Sequence, residues 1–329
     1  MPAAVLIGPP RAERAMFDSL QACWVCGGTR LRRFHELVFD FTPYAEQDPA
    51  LHAYTDQRRW LVCCDECGFG QPDALPTLDG FFDRMYDQRW SPEWVAQEFE
   101  ARYKDLIFRR ILHALDARCA GGRRRLLDIG AHAGRFLHFA QRAGWDVEGI
   151  ELNPRTAAVA ARRTGAVVHR VNARALALEG RRYTAITMTD VLEHIPDPAG
   201  MLASVARLLE PGGWTAIKVP CGPSQWRKER ALAALLPSRR VSLADNLVHV
   251  NHFAPTSLAT ALARAGLTTI SVQAAPPELC PLERWDHRAV SRAAGNGVRL
   301  AVYAAARLPG GVRTPLALHL QAFAQKPLA

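Results

Sequence analysis

The chain has 329 residues, room for about two domains at ~150 residues each. Its 49% apolar and 22% charged residues are globular proportions, which exclude a mainly disordered chain and supply a full-sized core. The net charge of +9 is uneven: residues 1–120 carry 14 basic against 18 acidic side chains, and residues 121–329 carry 27 against 14.

A basic half is what a polyanionic partner would need, nucleic acid included. Yet 37 of the 41 basic residues are arginines, scattered apart from short runs such as Arg123–Arg125, as a GC-rich genome would produce. No stretch approaches the ~18 uninterrupted apolar residues of a membrane-spanning helix. Met1–Phe17 offers only the apolar run Ala3–Ile7 before Pro9-Pro10, so no secretory signal is expected. The expectation is a soluble, cytoplasmic protein with no nucleic-acid partner.

Residues 1–80 read as a small irregular module. Five of the eight cysteines fall within 45 residues here: Cys23, Cys26, Cys63, Cys64 and Cys67. Cys23-Trp-Val-Cys26-Gly27 and Cys64-Asp-Glu-Cys67-Gly68 are two C-x-x-C-G turns separated by 37 residues. Each turn sets two thiolates on one side of a bend, and two such turns complete a tetrahedral Cys₄ zinc site. A solitary pair could be redox-active; a matched couple of pairs points to structural zinc. Cys63 is left over for packing. Cys119, Cys221 and Cys280 have no partner in sequence and read as small hydrophobes.

Residues 81–122 read as a linking helical segment. Ser91-Pro92-Glu93 has the form of a helix start, and Phe99, Leu106, Ile107, Ile111, Leu112 and Leu115 recur at helical spacing. From about 123 to 329 strands and helices alternate. Strands are expected at Arg125–Gly130, Asp146–Glu151, Val167–Val171, Tyr183–Met188, Trp214–Val219, Leu267–Ala274 and Leu316–Gln325. Helices of 10–12 residues between the earlier ones predict an α/β fold, a doubly wound, mostly parallel seven-stranded sheet. Cys221–Val250 reads as an irregular stretch that could cover the carboxyl edge of that sheet.

The chemistry sits at the first strand end. Leu127-Asp-Ile-Gly-Ala-His-Ala-Gly134 joins the first strand to the first helix, where ligands of open α/β sheets bind. Glu151 ends the second strand, 23 residues after Asp128. A carboxylate there can accept from two ribose hydroxyls. A glycine turn alone is weak evidence, but turn and acid together inside a strand–helix–strand unit predict nucleoside binding.

With these residues the sequence resembles the class I S-adenosylmethionine-dependent methyltransferases over about 123–275 plus the last strand. The resemblance also rests on Asp190-Val-Leu-Glu-His-Ile-Pro-Asp-Pro198, Leu209-Glu-Pro-Gly-Gly213 and His252-Phe253. It implies that Asp128, Gly130, Ala131 and Gly134 surround the methionine portion and that Glu151 and Leu152 hold the ribose. Asn172 and Ala173 would flank the adenine, and Asp190 to Leu192 would line the pocket after the fourth strand. His132 departs from the family, which usually has glycine at that point.

A proton-bearing acceptor needs a base, and His194 follows the fourth strand, where the methyl must lie. Glu193 and His249 are the further catalytic candidates, with His252 behind them. The alternative for Glu193-His194 is capping of the next helix. In some quinone-pathway relatives the corresponding set, here Asp190, Glu193 and His194, binds a divalent ion. The cysteine turns resemble the N-terminal zinc module of bacterial methyltransferases that modify deoxysugars, polysaccharides and natural products. There Tyr86, Trp90 and Trp94 could stack on a sugar face. The expected function is S-adenosylmethionine-dependent methyl transfer, to oxygen or carbon, of a small-molecule acceptor such as a sugar, glycan or natural-product intermediate.

Three rival readings differ in class. An RNA methyltransferase would grip its substrate with the zinc module, which the acidic balance of residues 1–120 opposes. A non-catalytic cofactor-binding domain is kept open by His132. A nicotinamide dehydrogenase would want G-x-G-x-x-G, whereas this loop has G-x-x-x-G.

Overall fold

The computed structural model describes residues 16–87, 99–100, 102–119, 121, 124–236, 238, 245–282 and 289–328. The expected helix start at Ser91-Pro92-Glu93 lies outside them, as do Trp90, Trp94 and the side chain of Tyr86.

The N-terminal region is more regular than its sequence implies. β1 (Phe17–Ser19) pairs antiparallel with β5 (Ala74–Pro76), and β2 (Leu31–Val38), β3 (Arg58–Cys64) and β4 (Gly70–Pro72) form an antiparallel sheet. Aromatic packing fills it: Phe39, Phe41, Tyr54 and Phe81 are buried together. Asp48 caps the short helix Pro49–His52 by accepting from Leu51 N–H at 3.1 Å, and Arg84 of the helix Phe81–Asp87 closes on the same carboxylate at 2.9 Å.

The linking helix Asp105–Arg118 buries Ile107, Ile111, Leu112 and Leu115 of the expected stripe against the main sheet, with Phe108 beside them where Leu106 was expected. Arg135 holds its first turn through a bidentate bond to Asp105, 2.8 Å on each oxygen.

Seven strands form the main sheet: β6 (Arg125–Ile129), β7 (Asp146–Ile150), β8 (Val167–His169), β9 (Tyr183–Thr189), β10 (Leu209–Pro220), β11 (Thr268–Ala274) and β12 (His319–Gln325). Their order is β11-β12-β10-β9-β6-β7-β8. β12 runs antiparallel to both neighbours and every other adjacent pair is parallel. The chain leaves β8 at one edge and returns beside β6, so the order reverses between β6 and β9. Their carboxyl ends open the crevice that such reversals create.

Two expectations change, and one helix was not foreseen. β8 stops at His169 because Asn172 begins a new helix, Ala173–Leu178, accepting from Ala175 N–H at 2.8 Å as its cap. The first part of the stretch Cys221–Val250 is the helix Gly222–Leu235. It buries Ser224, Gln225 and Glu229 beside Trp226 rather than an apolar stripe, so periodicity could not reveal it. The Ala- and Arg-rich stretch before β12 contains the helix Ala289–Ala306, of which only Ala289, Asn296 and Ala306 are buried among its described residues.

Candidate functional site

At the end of β6, Gly130 has φ +77, and a Cβ there would collide with Val191 at the end of β9. Only glycine lets the two strand ends approach across the crevice. The chain then turns through His132, held at φ +46 in the left-handed region. That conformation explains why the family favours glycine at this point. Its backbone N–H donates to Glu151 Oε2 at 2.9 Å, while Asn153 N–H donates to Oε1 at 2.9 Å. Each carboxylate oxygen keeps a second lone pair, so the fixed Glu151 can accept two further donors, as a ribose diol requires. The residues present therefore fit an adenosine-type cofactor.

The crevice is a cleft of about 1190 Å³, above the ~300–1,000 Å³ of most small-molecule sites and large enough for cofactor and acceptor together. Asp128, Gly130, Ala131, Glu151, Leu152, Asn172, Ala173 and Asp190 all line it, with His132 and His194. Two expected members do not. Gly134 lies behind the loop, packed against Ala160 of the helix Pro154–Thr164. Leu192 is buried in the apolar core, and Val191 and Ile195 form that stretch of wall instead. A 3₁₀ turn over Leu192–His194 puts Val191 and His194, three residues apart, on the cleft face and buries Leu192 and Glu193, which the linear motif could not show.

Burial sets the protonation states here. It pushes Asp128 up to about 7, against the Thr187 hydroxyl that donates to it at 2.6 Å. Burial also lowers His132 to about 4, with Lys104 adding to the effect, so its ring is neutral.

Asp190 departs furthest from its expected role. Burial would raise its carboxyl, but Lys218 and Lys104 hold it far below the ordinary carboxylate range. Lys218, 1% exposed on β10, closes directly on Oδ1, and Lys104 reaches Oδ2 at 2.9 Å. Glu278 stands 3.8 Å from Lys218 on its other side. Asp190 is thus committed to two lysines, which removes it from the expected divalent-ion set. Glu193 is also no part of the cleft wall. Its carboxyl is 1% exposed, and burial together with the charge of Asp190 pushes it up to about 8.

His194 does reach the cleft. Its Nδ1 lies 2.6 Å from Val248 O, a carbonyl that can only accept. Nδ1 therefore donates this bond, which fixes the ring. Glu193 O accepts from Val250 and Asn251 N–H, and Asn251 Nδ2 donates to Leu192 O and Ile195 O, each at 2.7 Å. These bonds pin the segment Val248–Asn251 across the turn and bring the His249 ring to 4.8 Å from that of His194. Burial lowers His249 to about 3, and its side chain stands outside the cleft lining. Glu193, His194 and His249, not Asp190, are the residues whose donor atoms come together, within 4.8 Å of one another.

The four cysteines converge as the spacing predicts. Cys23 Sγ lies 3.6 Å from Cys67 Sγ, and Cys26 Sγ lies 3.5 Å from Cys64 Sγ. A tetrahedron with Zn–S bonds of ~2.3 Å has edges of roughly 3.8 Å, so the cage fits that ion. Gly27 (φ +76) and Gly68 (φ +75) each return an N–H to the first cysteine carbonyl of its turn, at 2.9 Å. Cys63 stays outside the cage. The cage is not a separate module. Cys23, Cys64, Cys67 and Phe69 share one core with Phe253, Leu258 and the main sheet, and Gly70 exchanges backbone hydrogen bonds with His252.

Sequence reading missed Lys104, Lys218 and His319, which bear on Asp190 from distant parts of the chain, Glu278 beside Lys218, and Tyr103 in the same cleft wall. One signal was present: Lys218 stands alone between Ile217 and Val219 in an apolar strand of a chain with four lysines. A lysine in a buried strand needs a carboxylate partner.

Comparison with known proteins agrees with this geometry. Residues 99–272, more than half the chain, match a family model described as methyltransferase domain. A ubiquinone biosynthesis O-methyltransferase of Alkalilimnicola ehrlichii is 34% identical over 140 residues, 40% of this chain and 54% of that one. Its namesake in Thiobacillus denitrificans is 27% identical over 139 residues, 40% and 58% of the two chains. The chain spans about half the length of the curated relatives it matches. A solved S-adenosylmethionine-dependent methyltransferase from Archaeoglobus fulgidus has a TM-score of 0.46 and 16% identity, covering 70% of this chain and 97% of its own. The chain belongs to the methyltransferase domain family.

Proposed function

We propose that the chain transfers a methyl group to a hydroxyl oxygen of a small organic molecule, with His194 as the base. The observation that carries this is the place of His194 in the cleft wall, with its ring fixed there by the 2.6 Å bond between Nδ1 and Val248 O. S-adenosylmethionine supplies an electrophilic methyl on a sulfonium. The acceptor O–CH₃ bond forms as the S–CH₃ bond breaks, and the hydroxyl proton passes to His194 Nε2.

The rest of the site positions and excludes. Glu151 takes the ribose hydroxyls, and Asn172 and Ala173, at the start of their helix, stand beside the adenine. Asp128 and Gly130 meet the methionine end, where the tight bend brings backbone close to the ligand. In-line displacement from a sulfonium builds no oxyanion, so alignment and dryness contribute most of the rate. The name of the curated relatives, O-methyltransferase, supports oxygen as the acceptor atom. It lends nothing to the sugar or glycan expected from the cysteine turns. The Cys₄ cage holds structural zinc in this reading and takes no part in the transfer.

The test is turnover of methyl-labelled S-adenosylmethionine on a panel of phenols, alcohols and nucleotide sugars. His194→Asn should lower kcat by ~10²–10⁴, the usual worth of a general base, with affinity for S-adenosylhomocysteine unchanged. An unchanged kcat removes His194 from the reaction.

A further inference from the structure

The helix Ala289–Ala306 reverses the usual pattern of a surface helix. Val290, Ala294, Gly297, Ala301 and Ala304 recur at i, i+4, i+7, i+11 and i+14, with Leu308 at i+18 just past its end, and all six are exposed. Val290 is 74% exposed, Val298 64% and Leu308 65%. Among its described residues the helix buries Ala289, Ala306 and the polar Asn296, which accepts from Cys280 N–H at 2.9 Å and donates to Cys280 O at 2.8 Å. A helix that turns a polar amide inward and an apolar stripe outward presents a contact surface.

Positive charge borders this stripe. Arg299, Arg307 and Arg313 are exposed. Arg299 donates to Asn296 Oδ1 and to Cys280 Sγ, each at 3.2 Å, and Arg307 donates to the Tyr303 hydroxyl at 3.2 Å. These partners are neutral, and among the described residues none of the three arginines forms an ion pair. Residues 287–329 contain no aspartate or glutamate. The turn Gly311–Arg313 follows closely on the helix, Gly311 N–H donating to Leu308 O at 2.8 Å, so Arg313 stands at that end of the stripe.

The topology places this face beside the cofactor cleft. β10 and β11 both run antiparallel to β12 and so share a direction, and the helix follows the carboxyl end of β11. It therefore stands on the edge of the sheet that carries the cleft. The loop between them is tied there, as Leu279 N–H donates at 3.0 Å to the carbonyl of Tyr103, a residue of the cleft wall.

We propose that this face docks on an anionic lipid membrane, the helix lying in the headgroup layer with the cleft close to the surface. A bilayer offers an apolar layer beneath anionic headgroups, the complement of an apolar stripe bordered by arginines without carboxylate partners. A second copy of this chain is a poorer complement. A two-fold interface sets the patch against itself, which brings arginines toward arginines with no carboxylate between them. The proposal stands independently of the methyl-transfer reading.

The test mixes the full chain with vesicles of phosphatidylcholine alone, or of phosphatidylcholine and phosphatidylglycerol in equal parts, and reads the bound fraction by flotation. Binding to the mixed vesicles should be at least tenfold tighter and should fall as salt rises, because headgroup attraction is screened. Val298→Glu with Leu308→Glu should weaken it at least tenfold. Arg307→Gln with Arg313→Gln should weaken binding to the mixed vesicles and leave phosphatidylcholine alone unaffected. All four positions are exposed, so an unchanged melting temperature should show that both variants keep the fold. No binding to the mixed vesicles, equal binding to the two kinds, or full binding by the Val298 and Leu308 variant overturns the proposal. A stable dimer that this variant abolishes, with vesicles left unbound, also overturns it and makes the face an interface between copies of this chain.

Discussion

The two sides of the cleft are built by opposite strategies. The cofactor side uses short contiguous pieces, the bend after β6 and the carboxylate after β7, joined by backbone N–H bonds to Glu151. The opposite side uses single residues from across the chain: Tyr103 and Lys104 before the sheet, Lys218 on β10, Glu278 after β11 and His319 on β12. One side is held by main chain and the other by buried charge. Main-chain sites tolerate side-chain change, whereas a buried ion chain fails when any member is lost. A shared task can therefore rest on a robust half and a brittle half.

The cysteine cage should show the largest effect. Because Cys23, Cys64 and Cys67 share a core with Phe253 and Leu258, the turns cannot loosen without exposing the main sheet. Stripping zinc with a chelator should lower the melting temperature of the whole chain by roughly 10 °C, since a site filled ~1,000-fold above its dissociation constant adds about 4 kcal/mol. A single transition, in which the cofactor site melts with the cage, is the expected calorimetric trace. Two separate transitions would mean independent modules. Metal analysis finding no zinc would remove the cage reading altogether.

Asp190→Asn should come next. It leaves Lys104 and Lys218 facing each other without their shared carboxylate, a loss on the order of 3–5 kcal/mol in urea unfolding. Glu151→Ala should behave in the reverse way. It removes a carboxylate from the cleft wall and no apolar core volume, so stability should hold while S-adenosylhomocysteine affinity falls about 100-fold, the worth of two charge-assisted hydrogen bonds. If Asp190→Asn loses affinity and keeps stability, the two halves have been assigned the wrong way round.

This contrast also decides what could be read in advance. The glycine bend and the carboxylate fixed beside it were legible because Gly130 and Glu151 act through backbone geometry that a linear motif encodes. The cysteine cage was legible for the same reason, as two local turns carry it. The linking stripe through Ile107, Ile111 and Leu115 was legible because a single helix face meets the sheet. Failures arise where partners are remote or where burial is not apolar. Asp190 sits inside a recognised motif, yet its role depends on Lys104 and Lys218, which no spacing connects to it. The helix Gly222–Leu235 was hidden because it buries Gln225 and Glu229, and Leu192 was misplaced because one 3₁₀ turn rotates it inward.

The smallest effect should come from His132, the residue that departs from the family at its glycine loop. What Glu151 receives from this position is the backbone N–H, which every substitution but proline retains. Replacement by glycine relieves the left-handed φ of +46 but frees the unfolded chain, and the two terms offset to within about 1 kcal/mol. His132→Gly should accordingly change S-adenosylhomocysteine affinity by no more than about threefold, under 1 kcal/mol. Calorimetric titration decides it, because a loss beyond tenfold would mean that the imidazole itself touches the cofactor. The main-chain account of that half would then give way to one in which a side chain has taken over the work of a glycine.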